Sequence, residues 1–177
     1  MTTITQTVIS HIGYDNAPFN IEYFWDKETD RLWLLEINTR ISESHCYLFE
    51  QVDGVSHHQV AVELAVGRNP IFPFRQGKYN CAAKIFLREW EDAYVEAVPP
   101  ESVVQSIEQE LVPDSKIFIV AQEGKRLSEL MDQDSYSYRL ALLFVAGTDK
   151  QDIENKRKLI ESTLYEHFRF KKDDTSL

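Results

Sequence analysis

At 177 residues, with 43% hydrophobic and 12% aromatic side chains, the chain is long enough to bury a core as one compact domain or two small ones. Twenty-nine acidic residues against 19 basic ones leave a net charge of -10, which repels phosphate backbones and excludes nucleic acid as the main partner. No apolar run approaches the roughly 18 residues of a membrane span, and the start MTTITQTV lacks the basic-then-apolar pattern of a signal peptide, so a cytoplasmic protein with no membrane partner is expected.

Residues 4–12 carry apolar side chains at 4, 8, 9 and 12, a helical spacing, and Gly13 can stop the helix. Residues 14–19 read as a loop. From Asn20 to Asp26 the sequence alternates with a period of two: Ile21, Tyr23 and Trp25 fall on one side, Asn20, Glu22, Phe24 and Asp26 on the other. The stretch 32–38 repeats the pattern, with Trp33, Leu35 and Ile37 on one face and Leu32, Leu34, Glu36 and Asn38 on the other. The polar KETDR between them has the length of a hairpin connector.

If Asp26 and Leu32 flank that loop, antiparallel counting sets Phe24 opposite Leu34 and Glu22 opposite Glu36. Two carboxylates then face each other at roughly 5 Å between Cβ atoms, where like charges repel. Their apolar and aromatic neighbours predict shielding from bulk water, and unpaired charge is costly to bury, so a cation is expected between them. Asn38 points the same way and adds a neutral oxygen. Glu22, Glu36 and Asn38 are therefore a candidate site for Mg²⁺ or Mn²⁺, hard ions that take oxygen ligands. Arg40 continues the face, and its planar fork suits a carboxylate or phosphate oxygen. The competing reading places both glutamates on the solvated face of an edge hairpin.

Residues 39–53 are expected to form a loop and short helix, with Ser42, Glu43 and His45 lining the substrate end of the site. A helix over 56–66 is marked by Ser56 and Gln59 as a capping box, by the stripe Val60, Ala61, Leu64 and Ala65, and by Gly67 as terminator. His57 and His58 in its first turn read as surface residues. Cys46 and Cys81, the only cysteines, read as buried thiols. His45, Cys46, His57 and His58 lack the spacing of a structural zinc site.

Residues 71–79, IFPFRQGKY, are the expected linker, since Pro73 and Gly77 interrupt regular structure. Beyond it, strands are expected over 81–88, 94–97, 116–122 and 138–146. Helices are expected over 100–111, with Val103, Val104, Ile107 and Leu111 inward, and over 149–168, with Ile153, Leu159, Ile160 and Leu164 inward. The domain plan is thus 1–70, a linker over 71–79, a second domain over 80–170, and a frayed tail over 171–177.

Glu22 in NIEYF, Glu36 and Asn38 in LLEINTR, Arg40 and the following ISESH resemble the C-terminal part of the ATP-grasp domain of biotin carboxylase, carbamoyl-phosphate synthase and related carboxylate-amine ligases. The likeness continues through FEQVDGVSHHQVAVELAVGRNP to about residue 70. It implies an α+β fold, an ATP-grasp subdomain with antiparallel sheet and helices followed by a small mixed domain resembling the C-terminal domain of biotin carboxylase. The stretch from Asp134 to Leu164 resembles that domain loosely, as a cap that shapes the substrate pocket or a dimer contact. The resemblance further implies that Glu22, Glu36 and Asn38 bind the Mg²⁺ that bridges ATP phosphates, with Glu36 and Asn38 at the nucleotide, and that Arg40 is catalytic, contacting the substrate or its phosphorylated form. Biotin carboxylase has a glutamate immediately before the histidine, where this chain has Ser44 with Glu43 one step earlier, which argues against biotin carboxylation proper.

The implied activity is that of a ligase that uses Mg-ATP to activate a small carboxylate as an acyl phosphate and joins it to an amine or other nucleophile. In the family an earlier half supplies the adenine pocket and the phosphate-reaching lysines. The six glycines here include neither G-x-G-x-x-G nor G-x-x-x-x-G-K. The chain is therefore expected to be a fragment or subunit with little turnover alone, completed by an N-terminal ATP-grasp half or paired as a homodimer. The alternative is a non-catalytic binding or dimerisation module derived from such an enzyme.

Overall fold

The computed structural model describes residues 1–131 and 133–171, so the expected tail lies, apart from Lys171, outside the described residues. The chain divides into two units, Met1–Lys78 and Tyr79–Leu177. The first opens with helix α1 (Thr2–His11), which closes as Gly13 turns to φ +67°. There the Gly13 and Tyr14 amides donate to Ser10 and Ile9.

Strands β1 (Asn20–Asp26) and β2 (Arg31–Asn38) form an antiparallel hairpin whose register departs from simple counting. The loop is one residue shorter than expected. The Asp26 carboxylate accepts from the Glu28 amide at 3.0 Å and from the Thr29 hydroxyl at 2.6 Å, drawing the turn tight, so Asp26 pairs with Arg31 and Phe24 with Trp33. A bulge at Leu35 absorbs the difference. Beyond it Glu22 lies opposite Glu36 and Asn20 opposite Asn38. The bulge also exchanges faces, so Trp33, not Leu34, shares the side of Glu36.

Helix α2 (Glu43–Asp53) is longer than expected and ends at Gly54 with φ +86°. Helix α3 (His57–Ala65) realises half of its capping box: Ser56 accepts from the Gln59 amide at 3.2 Å, while the Gln59 side chain donates to Glu63 instead of turning back. Part of the expected linker is docked on α2. The Arg75 amide donates to the buried Asp53 carboxylate at 2.8 Å and the Gly77 amide to Val52 at 2.9 Å. A Cβ on Gly77 would stand 2.3 Å from the Gln51 carbonyl oxygen, a distance only glycine tolerates. Few side chains of this unit are buried: among its described hydrophobic residues, Ile9, Cys46 and Val55. Phe24, Trp25, Trp33, Leu34 and Leu35 are 43% to 63% exposed.

The second unit contains β3 (Cys81–Glu89), β4 (Tyr94–Ala97), α4 (Glu101–Ser106) running into a π-helical turn (Ile107–Leu111), and β5 (Lys116–Ile119). A 3₁₀ turn (Leu127–Glu129), β6 (Tyr138–Gly147), α5 (Lys150–Tyr165) and β7 (Arg169–Lys171) complete it. One antiparallel sheet has the order β3-β6-β5, and β4 pairs with β7, a strand the sequence pattern did not announce. The core is continuous: Leu140, Leu143 and Val145 of β6, Ile160 and Leu164 of α5, and Val95 and Leu127 are completely buried. Leu159 and Leu111, expected inward, are each 42% exposed, because the helical stripes centre on Ile160 and Ile107. Cys81 is half-buried, not buried. Among the described residues no helix is long and apolar enough to cross a membrane.

Candidate metal and phosphate site

The hairpin and the start of α2 bring most of the expected site together. Glu22 and Glu36 sit directly opposite each other, and their face of the hairpin also carries the Asn20–Asn38 pair on one side and, beyond the bulge, the Phe24–Trp33 pair on the other. Both carboxylates are exposed, which corrects the expected shielding: the Phe24 and Trp33 rings on their face are themselves 58% and 55% exposed. Among the described residues neither carboxylate has a hydrogen-bond or ion-pair partner.

A cleft of about 590 Å³ runs from Glu22 to the two helices, lined by Asn20, Glu22, Arg40, Ser42, His45 and His58 among others, whereas Glu36 and Asn38 do not line it. Arg40 is held by its own neighbours. Its Nη2 donates to Asn38 Oδ1 at 3.3 Å and its Nη1 to the Ile41 carbonyl at 3.2 Å. Ser42, at the N-cap of α2, makes no capping bond and instead shares a 2.6 Å hydrogen bond with His45 Nδ1. Glu43 opens α2, and its side chain lies outside the described residues.

His57 departs from the surface reading. Its ring stacks on Phe49 at 3.9 Å with 15° between planes and stands 5.8 Å from Phe72. Burial pushes its pKa below the ordinary 6.5, with the nearby Asp53 charge opposing. His58, one residue on, is exposed and lines the cleft. His58 and Asn20 were not singled out from the sequence; the pairing arithmetic that finds Glu22–Glu36 also places Asn20 against Asn38.

The donor set suits one metal class. Among the described residues no three His, Cys, Asp or Glu side chains gather as metal ligands. Two unpartnered carboxylates with an adjacent amide oxygen fit Mg²⁺, which keeps several waters and takes one or two carboxylates together with substrate phosphates.

Residues 1–70 match the model of the family described as "carbamoyl-phosphate synthase L chain, ATP binding domain". No curated protein sequence matches the chain. Among solved structures it is similar to the phosphoribosylaminoimidazole carboxylase ATPase subunit of Aquifex aeolicus, with a TM-score of 0.55 and 13% identity over 92% of this chain and 42% of that one. It is also similar to the biotin carboxylase domain dimer of Hydrogenobacter thermophilus 2-oxoglutarate carboxylase, solved with MgADP, ADP and bicarbonate, with a TM-score of 0.54 and 15% identity over 96% of this chain and 35% of that one. Kluyveromyces lactis urea carboxylase gives a TM-score of 0.53 and 15% identity over 94% of this chain and 14% of that one. The chain thus spans less than half of each, and at these identities the likeness concerns the fold, a mixed α and β architecture with antiparallel sheets.

Proposed function

From the match of residues 1–70 to the model of carbamoyl-phosphate synthase ATP-binding domains, we propose that this chain contributes the C-terminal wall of an ATP-grasp ligase site. In this reading Glu22, Glu36 and Asn38 would hold Mg²⁺, Glu36 and Asn38 would also bind the nucleotide, and Arg40 would hold the acid being activated. The observation that carries it is the apposition of two unpartnered carboxylates beside a cleft that also contains Arg40.

When bound, Mg²⁺ supplies positive charge to the phosphoryl group in transfer. The chain's own side chains do the positioning. Asn38 Oδ1 and the Ile41 carbonyl each occupy one donor of Arg40 and fix its plane, leaving the remaining N–H groups for a carboxylate or acyl-phosphate oxygen. Ser42 and His45, bonded to each other on the same cleft wall, orient the acid. The carboxylate oxygen attacks the γ-phosphorus, ADP leaves, and an amine or other nucleophile then displaces phosphate from the acyl carbon. The adenine pocket and phosphate-reaching lysines belong to an N-terminal ATP-grasp half, residues 80–170 form the accompanying C-terminal domain, and the chain alone turns over little.

Calorimetric titration with Mg²⁺-ATP tests the reading. The chain should bind, and Glu36→Gln should bind at least about tenfold more weakly, as expected for loss of a charged ligand. Equal affinities, or no binding by the unsubstituted chain, would refute it.

The exposed apolar side chains of the hairpin favour a second reading, an assembly module that pairs with a second copy or with the N-terminal half. Sedimentation equilibrium separates the two: self-association abolished by Trp33→Ser supports the homodimer, and a concentration-independent monomer mass excludes it.

A further inference from the structure

We infer that the second unit holds a binding groove for a small organic cation, a primary ammonium on a short apolar chain, between the π-helical turn and the end of α5. The inference does not depend on the reading of the first unit.

The groove follows from the π-helical turn. Ile107 and Val112 are both buried in the core, at 1% and 2% exposure. In an α-helix, positions five apart diverge by about 140°, so the two could not face the same core. The wider turn, closed by the Val112 amide donating to the Ile107 carbonyl at 2.8 Å, brings both inward. Single π-helical turns of this kind are frequent at functional sites. The same turn leaves Leu111 exposed, and a cavity of about 340 Å³ opens beside it. Val103, Ile107 and Leu111 supply its apolar lining. Its polar groups are Ser102, Ser106 and Glu110 from α4 and the π-helical turn, with Thr163 and His167 from the end of α5 and just beyond.

Size, free valence and charge each narrow the ligand. Ligand sites run from roughly 300 to 1,000 Å³, so this cavity fits a molecule at the small end of the range. The side chains of Ser102, Ser106, Glu110 and His167 have no hydrogen-bond or ion-pair partner among the described residues, which leaves their acceptor atoms for a ligand's N–H groups. Among the described residues Glu110 lines the cavity and no lysine or arginine does. Two helix ends add charge of the same sign. The π-helical turn ends at Leu111 and α5 at Tyr165, and neither carries a basic side chain in its last turn, so the partial negative charge of both C-termini is uncompensated. The net charge of -10 draws cations to the chain as a whole. An ammonium group therefore finds Glu110 as a charged acceptor, the strongest kind, while its carbon chain covers Leu111 and Val103. That apolar lining selects an organic cation, since a metal ion gains nothing from it.

The test titrates the full chain with butylammonium chloride, in exchange for sodium chloride at constant ionic strength, and follows the backbone amide resonances. Saturable shifts at Ser106, Leu111 and His167 are expected. Glu110→Gln, at an exposed position, should weaken binding at least about fivefold through loss of the charged acceptor. Butanol, which keeps the chain and lacks the charge, should also bind at least about fivefold more weakly, and butyrate should give no saturable shift. Glu36→Gln should bind like the unsubstituted chain, which separates this groove from the carboxylate pair of the first unit. Shifts that never saturate, equal affinity in Glu110→Gln, loss of the shifts in Glu36→Gln, or butanol or butyrate binding as tightly as butylammonium would overturn the inference.

Discussion

Replacing Glu36 by Gln should change the stability of the first unit in opposite directions depending on whether Mg²⁺ is present. Glu22 and Glu36 are a directly opposed pair, so their Cβ atoms are roughly 5 Å apart. Coulomb's law gives about 0.8 kcal/mol of repulsion at that distance in water and about 3 kcal/mol at an effective permittivity of 20. Exposure of both carboxylates puts the pair near the lower figure. In EDTA, Glu36→Gln should therefore be the more stable protein, by about 0.5–1 kcal/mol. With Mg²⁺ at a hundred times its dissociation constant the unsubstituted chain gains about 2.7 kcal/mol and the variant far less, so the order inverts. Urea denaturation followed by tryptophan fluorescence is a suitable assay, since Trp25 and Trp33 lie in the hairpin, with NaCl at matched ionic strength as the screening control. If Glu36→Gln is the less stable form in EDTA, or if Mg²⁺ stabilises both proteins equally, the two carboxylates do not act as a pair.

Leu143→Ala should cost about 2–5 kcal/mol in the second unit, because Leu143 is fully buried, whereas Val62→Ala, at 62% exposure, should stay within about 0.5 kcal/mol; urea midpoints compare them. Gly77→Ala should release the segment from α2, seen as faster hydrogen exchange at the Arg75 and Gly77 amides. His57, its folded pKa depressed, contributes stability above the unfolded value of about 6.5 that is lost as pH falls through the folded pKa. Imidazole NMR titration should find it below its ordinary value, and Phe49→Ala should raise it. Tyr165 has its pKa pushed up to about 12, by burial first and then by Glu89 and Glu161. Unfolded tyrosine ionises near 10, so stability should fall between about pH 10 and 12, and Tyr165→Phe should remove that part of the decline.

The hairpin was legible in the sequence because a period of two is hard to mistake, and the Glu22–Glu36 pairing, counted from an assumed Asp26–Leu32 flank, holds because the bulge at Leu35 cancels the one-residue shortening of the loop. The Phe24–Trp33 pair did not follow, because the Asp26 side chain tightens the turn by one residue and alternation carries no mark of an inserted Leu35. The exposure of the carboxylates was also missed. Aromatic neighbours predict burial only if something covers them, and the rings of Phe24 and Trp33 are open to solvent. In the second unit, strand and helix cores were readable from Leu140 to Val145 and from Ile160 to Leu164. The three-residue β7 was not, since Arg169–Lys171 owes its conformation to pairing with β4 and not to local preference. The Arg88–Arg139 apposition likewise depends on a bulge that no residue spacing reveals.

Leu35 works as a slack joint. Every partner on its turn side and every partner on its far side would remain in place if it were excised, since Leu34 would then lead straight into Glu36 against Tyr23 and Glu22. The loop end of the hairpin can therefore drift in length while the acidic end holds its alignment. Excising Leu35 would remove local coiling without separating the acids, and so would tell curvature apart from charge in the proposed binding of Mg²⁺.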